Sequence, residues 1–245
     1  MSSSVVVDNP EAAALFGAVW TSLEASVGRA ALTFPKCVFW LNGAPGAGKG
    51  TNTAFIMEKK GFGAGPVVVS DLLQTPEVRK IMDAGLLVGD KEVMELLFKK
   101  LTEARFRPGV IVDGFPRTQV QCDCLKLLFN KLLELHAAEP AKYAKPDFHI
   151  LVLDVSEAVA VERQLKRGRE ALAYNAEVDA GTKPGPKQDI RKTDTDPAAA
   201  GKRYRVFAES TVAPLRSLKD VFAYHHIDAG GALDAVRANL AQSIG

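Results

Sequence analysis

The stretch Cys37-Val38-Phe39-Trp40-Leu41-Asn42-Gly43-Ala44-Pro45-Gly46-Ala47-Gly48-Lys49-Gly50-Thr51 decides the fold. It opens with a continuous apolar run, the pattern of a strand buried on both faces. The run passes directly into a glycine-rich loop that ends in Lys49. A helix-forming stretch follows over residues 53–59 and is expected to stop near Gly61. Strand, Gly-rich loop, Lys and helix, in that order, are the context of a phosphate-binding loop. The glycines let successive backbone N–H groups point at phosphate oxygens. The helix N-terminus adds about half a positive charge and Lys49 a full one. The generic pattern places Ser or Thr directly after the Lys; here Gly50 stands there and Thr51 follows. That departure argues against a GTPase or a motor ATPase.

A second apolar run that ends in an acid is Gly109-Val110-Ile111-Val112-Asp113-Gly114-Phe115-Pro116-Arg117-Thr118. In an open parallel sheet, ligands bind beyond the carboxyl ends of the strands. Asp113 is expected at such an end, able to hold Mg²⁺ through water. Gly114 permits close backbone approach, and Pro116 fixes φ and so aims Arg117, whose planar fork suits phosphate. Further strands are read at residues 66–70, 148–155 and 221–227.

These two anchors resemble the adenylate kinases and other nucleoside-monophosphate kinases. Gly-x-Pro-Gly-x-Gly-Lys-Gly-Thr matches the family's loop, and Asp113-Gly114-Phe115-Pro116-Arg117 its second signature. The resemblance implies an α/β fold of three layers, like that of P-loop NTPases. A five-stranded parallel sheet would be flanked by helices and carry two inserts. A monophosphate-binding insert falls at about residues 70–103 and a lid at about residues 168–191. Residues 1–36 are read as an N-terminal helical extension, and residues 37–245 as one kinase domain.

The implied reaction is reversible transfer of phosphate from Mg·ATP to AMP, giving two ADP. Residues 43–51 (Gly43, Ala44, Pro45, Gly46, Ala47, Gly48, Lys49, Gly50 and Thr51) would hold ATP together with Arg163, Arg167 and Gly231. Thr51 and Asp113 are the candidate Mg²⁺ residues. Ser70, Met82, Val88, Gly114, Arg117, Gln121, Arg191 and Arg203 would hold AMP. Lys49, Arg117, Arg163, Arg167, Arg191 and Arg203 are the candidate catalytic residues. Ser70-Asp71-Leu72-Leu73 resembles the element that opens the monophosphate-binding insert, but Val69 stands for the family's Thr and Gln74 for its phosphate-binding Arg. Arg79 is a candidate replacement for that charge. Gln121 matches the Gln that reads the adenine of AMP in adenylate kinases, whereas relatives preferring UMP or CMP tend to carry Asn. A kinase for UMP or CMP is therefore one alternative. A nucleotide-binding sensor or scaffold with little turnover is another, motivated by Gln74 and a short insert.

The composition is that of an ordinary globular protein and excludes other classes. The 245 residues carry 31 Lys+Arg and 29 Asp+Glu, a net charge of +2, with 47% hydrophobic residues. That balance argues against a dedicated nucleic-acid binder. No apolar run is long enough for a membrane span. The charge is unevenly spread. Residues 163–205 contain eleven Lys/Arg against six Asp/Glu, a local +5, which leaves −3 for the remainder. A polyphosphate substrate would be drawn to such a patch. Asp194 or Asp196 could orient its guanidiniums.

The lid segment contains no Cys, so no zinc is expected there. The three cysteines cannot build a disulfide framework, which points to a reducing, cytoplasmic setting. Asp8, Glu11 and Glu24 argue against a transit peptide. Near the N-terminus, Asp8 or Asn9 followed by Pro10 starts a helix whose apolar stripe includes Leu15, Val19 and Leu23. This helix is expected to pack on the main domain. Residues 204–218 read as a helix bent near Pro214. His225 and His226 point to opposite faces of the last strand and so make poor joint metal ligands. A monomer that binds neither nucleic acid nor membrane completes the expectation.

Overall fold

The computed structural model describes residues 4–74 and 89–245. Its centre is one sheet built from Cys37–Gly43 (β1), Val67–Val68 (β2), Val110–Asp113 (β3), Asp147–Asp154 (β4) and Ala223–Asp228 (β5). The strands run in the order β2-β3-β1-β4-β5, and every pairing is parallel. A parallel sheet needs a crossover between neighbours, and helices supply it on both faces.

Alternation along β1 divides the core. Val38 and Trp40 face one side, where they join Pro10–Val27 (α1), Asp90–Leu101 (α4) and Gln119–Ala138 (α5). Phe39 and Leu41 face the other, against Lys49–Lys60 (α2) and Leu233–Ile244 (α9). All four β1 side chains are fully or almost fully buried. Three layers result, as the resemblance implied.

The N-terminal helix starts as its sequence dictates. The Asn9 side chain accepts from Ala12 N–H, Pro10 takes the first position, and Gly28 closes the helix at φ 82°. Its buried face, Ala12, Val19, Trp20 and Leu23, belongs to the same core as α4 and α5. Asn9 also donates to Asp123 at 2.9 Å, which fastens the helix start to α5.

Two local expectations, on residues 66–70 and on residues 204–218, are corrected. Residues 66–70 form only the two-residue β2, and Val69–Leu72 (α3) is helical, so Ser70 sits on a helix rather than a strand. Within residues 168–191 the long helix Glu157–Asp179 (α6) continues to Asp179, and a loop follows it. The helix after the lid breaks at Thr211, between Pro197–Ser210 (α7) and Val212–Arg216 (α8), three residues before the proline. Pro214 lies in the first turn of α8, where its missing N–H costs nothing. Its ring would clash with the carbonyl four residues back if the helix were continuous.

Candidate active site

The loop after β1 requires its glycines. Gly43, Gly46 and Gly48 have φ of 149°, 88° and 85°. A Cβ on Gly46 would lie 2.4 Å from the Ala160 carbonyl oxygen, and one on Gly43 2.6 Å from that of Leu153. Only glycine lets the loop wrap this tightly against β4 and α6. Gly50 has open space around it, so its identity is not imposed by packing. Lys49 opens α2 and folds back, donating to the Gly43 carbonyl at 2.8 Å.

The loop after β3 is bound to the first. Gly114 N–H donates to the Leu41 carbonyl at 3.0 Å, and the Asn42 amide donates to the Phe115 carbonyl at 2.9 Å. Asn42, buried at the end of β1, was not singled out by sequence reasoning. Its signal was a polar residue closing an apolar run. Gly114 has φ 90°, and a Cβ there would meet an Arg117 guanidinium nitrogen at 2.7 Å. That space lets Arg117 turn back and donate from Nε to the Gly114 carbonyl at 2.7 Å.

Charges converge between these loops. Burial lowers the Lys49 pKa to about 8; Asp113 opposes that fall, while Arg117, Arg203 and Arg167 add to it. Burial raises the Asp113 carboxyl, against Lys49 and Arg117, which lower it. The Arg203 guanidinium is pushed down by burial and then by Arg191, Arg117 and Arg167. Lys49, Arg117, Arg167, Arg191 and Arg203 thus share one site, and their mutual repulsion is relieved by a polyanion. Asp71 adds the smallest share to the rise of Asp113. A divalent cation would offset the burial that raises Asp113, so this acid fits a water-bridged Mg²⁺.

Arg163 and Arg167 lie one turn apart on α6 but diverge. Arg163 donates to the carbonyls of Ala229, Gly230 and Gly231 at 2.8, 3.2 and 3.1 Å, bracing the turn after β5. It lines a cavity of about 300 Å³ with Ala47, Thr51, Lys166, Gly231 and Leu233. Arg167 pairs with Asp194. Asp194 is almost fully buried and also accepts from Arg191 N–H at 3.1 Å, in the 3-10 turn Lys192–Asp194. The choice left open between Asp194 and Asp196 is thereby settled, since Asp196 caps α7 through Ala198 N–H and Ala199 N–H.

Gln121 is buried at the start of α5. Its Oε1 accepts from Arg117 N–H and its Nε2 donates to Asp90 Oδ1, each at 2.8 Å. The other Asp90 oxygen accepts from the Thr118 hydroxyl at 3.0 Å. Asp90 was missed in the sequence because an acid at a helix start reads as a helix-end charge. Gln74 donates to the Ser70 carbonyl at 3.3 Å. Met82, Val88 and Arg79 lie outside the described residues.

Residues 41–221 match the adenylate kinase family. The chain belongs to that family. It is 29% identical over 212 residues to a protein of Phocaeicola vulgatus described as adenylate kinase, covering 82% of this chain and 95% of that one. The match to the adenylate kinase family runs from the end of β1 almost to β5 and so includes both anchors. Among the described residues, no helix is long and apolar enough to cross a membrane.

Proposed function

We propose that the chain is an adenylate kinase in activity as well as in family, transferring the γ-phosphoryl of ATP to AMP. The observation that carries this reading is the convergence of Lys49, Arg117, Arg167, Arg191 and Arg203 beside Asp113, where the strands of a parallel sheet end. Phosphoryl transfer asks a protein for positioning and charge neutralisation rather than for covalent chemistry. The loop of residues 43–51 cradles the donor phosphates, with Lys49 supplying charge. The cavity lined by Arg163, Thr51 and Gly231 is the proposed seat of the donor base. Arg117 grips the acceptor phosphate, and Arg167, Arg191 and Arg203 surround the group in flight. The acceptor phosphate is already an anion, so no general base is required.

Asp113 would hold Mg²⁺ through water, with Thr51 on the donor side; the ion's contribution when bound is to neutralise charge on the transferred group. Gln121 is the proposed reader of the acceptor base, with Gly114 and Ser70 as further proposed acceptor contacts. Residues 70–103 and 168–191 are proposed as the two inserts whose closure excludes water as a competing acceptor. A monomeric, cytoplasmic enzyme with nucleotides as its partners fits this role.

An acceptor panel tests the reading. With ATP and Mg²⁺ as donor, AMP should be the preferred acceptor. Preference for UMP or CMP would overturn the assignment from Gln121. ATP binding without transfer to any monophosphate would mark a sensor.

A further inference from the structure

We propose that Cys37, Asp147 and His149 form a binding site for a divalent transition-metal ion of the zinc class, with His225 holding His149 in the ligating tautomer. Cys37 and Asp147 are the first residues of β1 and β4 and are paired in register. His149 follows two residues along β4, so it presents its side chain on the same face as Asp147. One ligand atom from each of the three lies within 4.8 Å of the others. The trio stands at the amino ends of the strands, about 20 Å from the phosphate loop by the rise of a seven-residue strand. It is therefore unconnected with the Mg²⁺ site, and also with the Cys-free lid.

His149 Nδ1 faces His225 Nε2 at 3.0 Å, and His149 Nε2 faces Asp147 Oδ2 at 3.1 Å. When a metal takes Nε2, the proton of a neutral His149 must sit on Nδ1, and His225 Nε2 is the acceptor within reach of it. A metal-ligating His whose other nitrogen donates to a fixed acceptor is the arrangement that holds such ligands in place.

The rings are further fixed by stacking. His149 lies on Phe39 at 4.4 Å and 6°, and His225 is near-parallel to His149. Cys37 Sγ lies within 4.8 Å of an Asp147 carboxylate oxygen. Coordination would replace the thiol proton by the ion and release that proton to solvent, leaving a thiolate and a carboxylate opposite the 2+ charge. Lys36 and Lys60 are the nearby cations. Lys60 is engaged with the Ile244 and Gly245 carbonyls. Thiolate, imidazole and carboxylate together suit zinc better than Mg²⁺ or Ca²⁺. Asp147 is exposed and leaves an entry path and a fourth position for water.

Cobalt(II) titration of the nucleotide-free full chain tests the site, because a cobalt–thiolate bond gives a near-ultraviolet charge-transfer band. One equivalent should saturate the band, and zinc should displace it. Cys37→Ser should abolish it. Asp147→Asn, at an exposed position that does not threaten folding, should weaken binding. His225→Phe keeps the stack but removes the acceptor, and should cost about 10–100-fold in affinity. The proposal fails if the unaltered chain shows no band or if the band persists in Cys37→Ser. It fails equally if Asp147→Asn and His225→Phe bind as tightly as the parent.

Discussion

Gln121 and Asp90 share a 2.8 Å hydrogen bond that fixes which end of the Gln amide points where. The amide oxygen is turned to Arg117 N–H and the nitrogen to the carboxylate. One N–H and one oxygen lone pair remain, the complement of the adenine edge. Removing Asp90 frees the amide to rotate. Asp90→Ala should raise the KM for AMP about tenfold, the equivalent of ~1.4 kcal/mol for one lost charged hydrogen bond, and leave the KM for ATP nearly unchanged. Steady-state kinetics with each nucleotide varied in turn checks the split.

Lys49 should make the proposed donor binding depend on pH. Its pKa in the free protein is lowered to about 8. Polyphosphate restores the charge, so above pH 8 binding must take up a proton. ATP affinity should therefore fall as pH rises from about 8 toward 10, and calorimetry in buffers of different ionisation heat should read proton uptake. The stability of the free protein should move oppositely. The unfolded chain, with Lys49 at its ordinary 10.5, binds more protons over this window, so the burial penalty is full below pH 8 and is relieved as pH rises.

Arg117 is positioned by backbone contacts at both ends, through its own N–H to Gln121 and its Nε to Gly114. Arg117→Ala should reduce kcat/KM by about a hundredfold or more, comparable to loss of one preorganised group at a developing charge. The far-ultraviolet circular dichroism should not change. A coupled ADP-formation assay that finds near-normal turnover would remove Arg117 from the site.

Gly168 is where α6 meets the turn that holds Asp194. A Cβ there would lie 1.9 Å from the Asp194 carbonyl oxygen, which is backbone and cannot swing aside. Gly168→Ala should cost about 1–3 kcal/mol through overpacking, read as a fall in Tm of roughly 2–4 °C per kcal/mol. It should also lower kcat, since Asp194 holds both Arg167 and the Arg191 backbone.

Much of the site is legible in linear order because its chemistry is local. The phosphate loop needs glycines at fixed offsets from one Lys, and β3 needs an acid, a Gly and an Arg within a few residues. Both patterns survive in the sequence as written, and the resemblance places them in one family. Asp90 and Asn42 were not legible. Each acts on a residue far along the chain, Asp90 on Gln121 and Asn42 on Phe115, and nothing in their neighbourhood marks them.

The same division holds for the molecule as a whole. Linear order alone carried the buried strand runs, the glycine-rich loop at residues 43–51, the acid at Asp113 and the basic stretch that includes Arg163 and Arg167, while the parallel sheet was implied by the family resemblance. The former follow from periodicity, backbone freedom and charge, which are properties of neighbouring residues. Tertiary packing sends Arg163 to the turn after β5 and Arg167, one helical turn away, to Asp194. It alone brought Cys37 beside Asp147 and His149 at the far end of the sheet. Parallel pairing joins strands that are distant in the chain, so side chains that share an edge or an ion pair carry no common signal until the strands are in register.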